Sequence, residues 1–171
     1  MLDIYTMFAR YNGWANRKTL EAVAAVSEED YRRDCGLFFN SLHGTLNHLL
    51  VADLIWMKRF AGEGEVPQDL SAVLHENFTE LVEARRAVDD RIIDWTAQLS
   101  EADLSGDFAY RPVTEPRDPV TQKLAPALSH FFNHQTHHRG HCHAALTQIA
   151  GEAPSIDLIY FQREERLGTA A

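Results

Sequence analysis

Apolar residues recur at steps of three and four through most of this chain, a spacing that predicts helices rather than strands. Ile4, Met7, Phe8, Tyr11, Trp14 and Ala15 open the series, and a first helix is expected from Asp3, as N-cap, to about Val26. Gly13 costs that helix roughly 1 kcal/mol against alanine, so it marks a close approach by a neighbouring helix. Ser27-Glu28-Glu29-Asp30 suits a short capped turn, and Cys35 to Asn40 reads as a loop. Ser41 then caps a proline-free, leucine-rich second helix that stops near Gly62 and Gly64. Its wheel groups His48, Ala52, Ile55 and Arg59, while Leu50, Leu54 and Met57 cover other sides. A helix apolar on several sides is buried on more than one of them, which suggests both a core and a subunit interface.

After Pro67, the seam Leu74, Phe78, Leu81, Val88, Ile92, Trp95 and Leu99 predicts a third helix, interrupted by Arg85. The run Glu83, Arg85, Arg86, Asp89, Asp90 and Arg91 is expected to be a solvated face with local ion pairs. Between Ser105 and Lys123, prolines at 112, 116 and 119 exclude helix, and the flanks predict a small hairpin or a long excursion over the site. A fourth helix follows from Leu124 to Ala150, tolerating Pro126 in its first turn and closed by Gly151 and Pro154. The tail from Ile156 to Arg166 is expected to pack back as a short helix. Four long helices without a substantial sheet define an all-α fold, a four-helix bundle with a loop or hairpin between its third and fourth helices.

The chemistry lies in the fourth helix. Six of the nine histidines fall between His130 and His143. At about 100° per residue, His134 and His138 project from one face on successive turns, the spacing at which two imidazoles share a metal ion. The apolar stripe of Leu124, Ala127, Leu128, Phe131, Ala145 and Ile149 runs past His138 near its middle and His134 at its edge, so both point inward. A lone inward histidine is usually satisfied by hydrogen bonds, but a pair leaves several ring nitrogens to satisfy at about 1–3 kcal/mol each. His130, His137 and His143 lie toward the rim and are expected to be solvated. A third ligand has to come from another helix. His48 is the leading choice, since His43 lies on the opposite side of the second helix and His75 starts the third. Three histidines would leave coordination positions open, as in catalytic rather than structural zinc sites. No Glu-x-x-His, His-Glu-x-x-His or Cys-x-x-Cys-His motif is present, which leaves a mononuclear centre as the leading reading.

Composition narrows the function. One domain over residues 1–171 is expected from the length and from ordinary proportions of 45% hydrophobic and 24% charged residues. A formal charge of −9 argues against general affinity for nucleic acid or an anionic membrane. The start lacks signal-peptide character, and no stretch approaches about eighteen apolar residues, so a cytoplasmic protein without membrane association is expected. Cys35 and Cys142 are too few for a disulfide framework, which agrees with a reducing compartment. Cys142 sits on the apolar stripe and is expected to be a small buried thiol rather than a nucleophile.

The run His43-Gly-Thr-Leu-Asn-His48-Leu-Leu-Val-Ala-Asp53, followed by Trp56 and Arg59, closely resembles the DinB family, as does Asn133-His-Gln-Thr-His-His-Arg-Gly140. Tyr11-Asn-Gly-Trp-Ala-Asn16 is similar to that family's first-helix pattern. The resemblance implies a four-helix bundle, a homodimer, and a divalent ion, nickel or zinc, held by His48, His134 and His138. It also implies kinship with thiol-dependent transferases, hence a low-molecular-weight thiol partner and a metal-dependent transferase or hydrolase. The alternative is a non-catalytic, stress-related metal-binding homodimer. Where the family often has glutamine after Arg-Gly, this chain has His141. It could be a fourth ligand, a group orienting a ligand from outside, or a proton-transfer group, with the orienting role ranked first.

Overall fold

Helices carry most of the chain in the computed structural model, which describes residues 1–67, 69–114 and 118–169. In order they are α1 (Leu2–Val23), the short α2 (Glu28–Arg32), α3 (Leu42–Ala61), α4 (Phe78–Ala97) and the short α5 (Glu101–Ser105). An antiparallel hairpin of β1 (Asp107–Tyr110) and β2 (Val120–Lys123) precedes α6 (Leu124–Ala150) and α7 (Leu158–Leu167). Among the long helices, α1 packs on α4 and α6, and α3 packs on the same two. Among the described residues no helix is long and apolar enough to cross a membrane.

The expected caps set several of these limits. Ser41 accepts the Gly44 amide at 3.1 Å, and Gly62 and Gly151 close α3 and α6 with φ of 76° and 79°. Ser27 caps α2. Asp3 lies in the first turn of α1 rather than at its cap, which is Met1, and α1 ends at Val23, with i to i+3 bonds carrying the chain to Val26. The third predicted helix begins later than its seam suggests. Asn47 Oδ1 accepts the amides of Leu74 at 2.9 Å and His75 at 3.0 Å, so these residues belong to an ordered segment before α4, which Asn77 then caps.

The hairpin alternative holds for the excursion, with Asp107 opposite Lys123 and Tyr110 opposite Val120. Phe108 and Tyr110 stack around Trp56, fastening the hairpin to α3. Pro116 lies outside the described residues. The tail folds as α7, whose Phe161 lies against the rings of Tyr11 and Trp14 at 5.9 and 5.7 Å. The leucines on several sides of α3 are taken up within the chain. Leu50 and Met57 join one core cluster, and Leu42, Leu46 and Leu49 join a second.

The largest departure is the polar run of α4. Instead of forming a solvated face throughout, Arg85 and Asp89 are buried at 3% and 7% exposure. Arg85 pairs with Asp53 at 2.7 Å and with Asp89 at 3.0 Å. Asn12 and Asn16 of α1 donate to Asp89 at 3.3 and 2.9 Å. From α6, Gln135 donates to Asp53, and Arg139 donates to Asn12 and, at 3.1 Å, to Asn16. The Arg139 guanidinium also lies 5.3 Å from the Tyr11 ring centroid. Two carboxylates and two guanidiniums thus balance within the core, joined to every long helix. Burial pushes the Asp53 carboxyl up to about 7, and the Arg85 guanidinium opposes that rise. Gly13 beside this cluster leaves room for α4, although an added methyl would meet Ile93 and Asp89 at ordinary contact distances of 3.6 and 3.7 Å.

Breaking a buried pair leaves a charge without compensation and costs about 3–5 kcal/mol. Asp53→Ala should lower the free energy of urea unfolding by about that amount, while Asp90→Ala, on the exposed side of α4, should stay within about 0.5 kcal/mol of the parent.

Candidate metal centre

The fastening of α6 fixes where its histidines point. Gln135 and Arg139 face the buried charges, so His134 and His138, each one position earlier and about 100° around the helix, face α3. There they meet His48. One ring nitrogen from each of the three lies within 4.8 Å of the others, and the three together could hold a metal ion. The Nε2 atoms of His48 and His134 are 3.4 Å apart. That matches the edge of a tetrahedron with metal–nitrogen bonds of about 2.0–2.1 Å, which is about 3.3–3.4 Å. The ring centroids of His138 lie 4.5 Å from His48 and 4.4 Å from His134.

Two loops shape the site. The Leu70 carbonyl accepts from His48 Nδ1 at 2.8 Å, which places the proton on Nδ1 and leaves the Nε2 lone pair free for a ligand. Asn47 anchors that loop through Leu74 and His75. On the other side, Phe39 stacks on His48 with centroids 3.8 Å apart and planes 18° apart. It is held there by a turn in which Asn40 adopts φ 64°. Gly44 permits this approach, because a Cβ at that position would collide with the Phe39 carbonyl.

Burial keeps the imidazoles neutral and therefore available as ligands. It pushes His134 down to about 4, helped by nearby His48, and His138 down to about 3, helped by His134. His48 is lowered for the same reason, against the opposing Leu70 hydrogen bond. Among the described residues the buried Nδ1 of His138 has no hydrogen-bond partner, an orphan that a polar guest would relieve. With no carboxylate in the triad, the donor set suits a borderline-soft divalent ion better than calcium or magnesium. The triad opens onto a cavity of about 880 Å³ whose wall also includes Phe38, Phe39, Leu70 and Val113. Thus the excursion after β1 does reach the site.

The remaining candidates separate. His130, His137 and His143 are exposed, as expected, although His130 lies against Trp56 with centroids 5.1 Å apart. His137 and His141, with His138, form a second group that could hold an ion, so His137 is nearer the chemistry than a rim residue. His141 is not in the His48 group but adjoins it through His138, with ring centroids 5.2 Å apart. His43 is buried, and its Nε2 lies 3.3 Å from the His75 carbonyl. Cys142 is fully buried, and burial pushes its thiol up to about 12, far from a nucleophile at neutral pH. The Leu70 carbonyl and the Phe39 ring went unread in the sequence. A backbone acceptor has no residue signature, and the loop carrying Phe39 shows no periodicity.

The chain matches the DinB family across residues 1–167 and belongs to it. No curated protein and no solved structure matches the chain.

These shifts give the metal-free protein a defined response to acid. With folded values below the usual 6.5, His134 and His138 take up protons more readily in the unfolded chain, so stability falls as pH drops from about 6.5 toward 4 for His134 and toward 3 for His138. Urea midpoints of metal-free protein should decline across that window, and His138→Gln should flatten the decline.

Proposed function

We propose that this protein is a divalent-metal-dependent enzyme of the thiol-dependent transferase or hydrolase type, built on a four-helix bundle. Its ion, zinc or nickel, is held by His48, His134 and His138. The observation that carries this reading is the opening of the imidazole triad onto a cavity of about 880 Å³, large enough for a small-molecule substrate beside the ion. A closed, purely structural centre would have no use for that space.

A divalent ion held by three neutral nitrogens would supply Lewis acidity to a thiol or water that reaches it. The protein's own groups do the rest. Leu70 fixes the tautomer of His48, and Phe39 covers that ring's face. Leu37, Phe38 and Val113 give the cavity an apolar wall against which a substrate can pack. His141, on the same wall and lowered by burial, is neutral and takes the proton released when a thiol ionises. In this reading His141 assists without ligating.

Metal-stripped protein dialysed under neutral, reducing conditions should take up one equivalent of zinc or nickel tightly, measured by mass spectrometry of bound metal. His138→Ala should weaken that uptake by more than the about 10–100-fold typical of losing a group behind a ligand. His141→Gln should retain the metal and alter the pH dependence of turnover. Failure of the parent to bind any divalent ion would remove the assignment. Metal binding without turnover against a panel of thiols and electrophiles would favour the non-catalytic, homodimeric alternative.

A further inference from the structure

Beside the triad lies a second, smaller cavity of about 220 Å³ that shares His48 and His134 with the larger one. Its wall also carries Arg59, Trp56, Tyr110 and His130. The Arg59 guanidinium carbon is 4.6 Å from the Trp56 ring centroid and 4.8 Å from that of Tyr110. Its Nη2 donates to the Arg111 carbonyl at 2.9 Å. Two aromatic rings and one carbonyl therefore hold a half-buried cation in place, which is the pre-organisation an anion subsite requires.

Among the described residues no carboxylate pairs with Arg59, and no further protein acceptor takes its remaining N–H donors. A guanidinium has five such donors in a planar fork suited to bidentate recognition of a carboxylate. The chain is rich in acids, with 25 Asp and Glu against 16 Lys and Arg, yet none among the described residues is placed against this cation. Asp69, the carboxylate on the wall of the larger cavity, instead accepts the Ser71 amide at 2.8 Å. Trp56, His130 and His134 form a row of rings with centroid spacings of 5.1 and 5.9 Å, and Arg59 lines one cavity together with His48 and His134.

We propose that Arg59 forms an anion subsite, and that the ligand of the metal centre carries a carboxylate that pairs with Arg59 while its sulfur reaches the imidazole triad. The sulfur half of this statement rests on the thiol reading above; the carboxylate half does not. Ligands of this class are small mercapto acids or thiol cofactors bearing a free carboxylate. Neutral thiols would lack the second anchor.

The two halves are tested separately. In metal-free protein, propionate should produce a saturable shift of the Arg59 Nε–Hε resonance, assigned by its loss in Arg59→Gln, and propionamide should produce none. Absence of saturation, or an equal response to the amide, would overturn the subsite. In zinc-loaded protein, calorimetry should show 3-mercaptopropionate binding at least tenfold more tightly than 3-mercaptopropionamide. Arg59→Gln should bring the two within about threefold, leaving the amide unchanged, whereas a preference that survives the substitution would overturn the proposal. Should Arg59→Gln fail to fold by circular dichroism, Arg59→Lys decides: it keeps the charge but loses the fork, so the preference should fall severalfold, and an unchanged preference would count against Arg59. If propionate binds and neither thiol does, the thiol reading falls and the subsite stands.

Discussion

Asp53, Arg85, Asp89 and Arg139 meet in the middle of the protein, and the arrangement of the four long helices depends on their balance. Each charge comes from α3, α4 or α6, while Asn12 and Asn16 supply the share of α1. Apolar packing would hold these helices together in many rotations, because it lacks direction. Buried charges tolerate few, since a guanidinium turned away from its carboxylates leaves both without compensation. The apolar clusters supply cohesion, and the polar centre supplies register.

Register is what the candidate metal centre needs. His134 and His138 reach His48 because their neighbours Gln135 and Arg139 are already committed to the core. The centre is therefore assembled by contacts outside itself. The Leu70 carbonyl and the Phe39 ring complete it from two loops, one tied down by Asn47 and the other admitted by Gly44. A site pre-formed in this way does not ask an incoming ion to organise the protein, which keeps binding free energy available for chemistry or for ligand capture.

Much of this was legible in the sequence where a residue type has one dominant use. Ser41, Gly62 and Gly151 marked helix ends, and the i, i+4 pair of His134 and His138 marked the chemical face. Arg85 and Asp89 were misread because a run of alternating charges describes a solvated helix face equally well. What distinguishes the buried case is the presence of partners on other helices, which no local pattern contains. On α1, too, apolar spacing does not by itself mark the inward face: Ile4 is 51% exposed, while polar Asn12 and Asn16 are turned inward to the charges. The start of α4 was placed too early because Leu74 continues the apolar seam, although its amide is already taken by Asn47.

Structural and chemical residues alternate along one helix in this protein, with His134 beside Gln135 and His138 beside Arg139. Inserting or deleting a single residue before this stretch would rotate the rest of the helix by about 100° relative to the elements that precede it. An insertion would turn the imidazoles toward the carboxylates, and a deletion would turn the guanidinium toward the cavity. Relatives able to keep both the core and the centre can therefore differ here by replacement of side chains far more freely than by change of length. The spacing of α6 is thus constrained as a unit, whereas the loops that bring Phe39, Leu70 and Val113 to the cavity wall have no buried charge among their described residues to constrain their lengths.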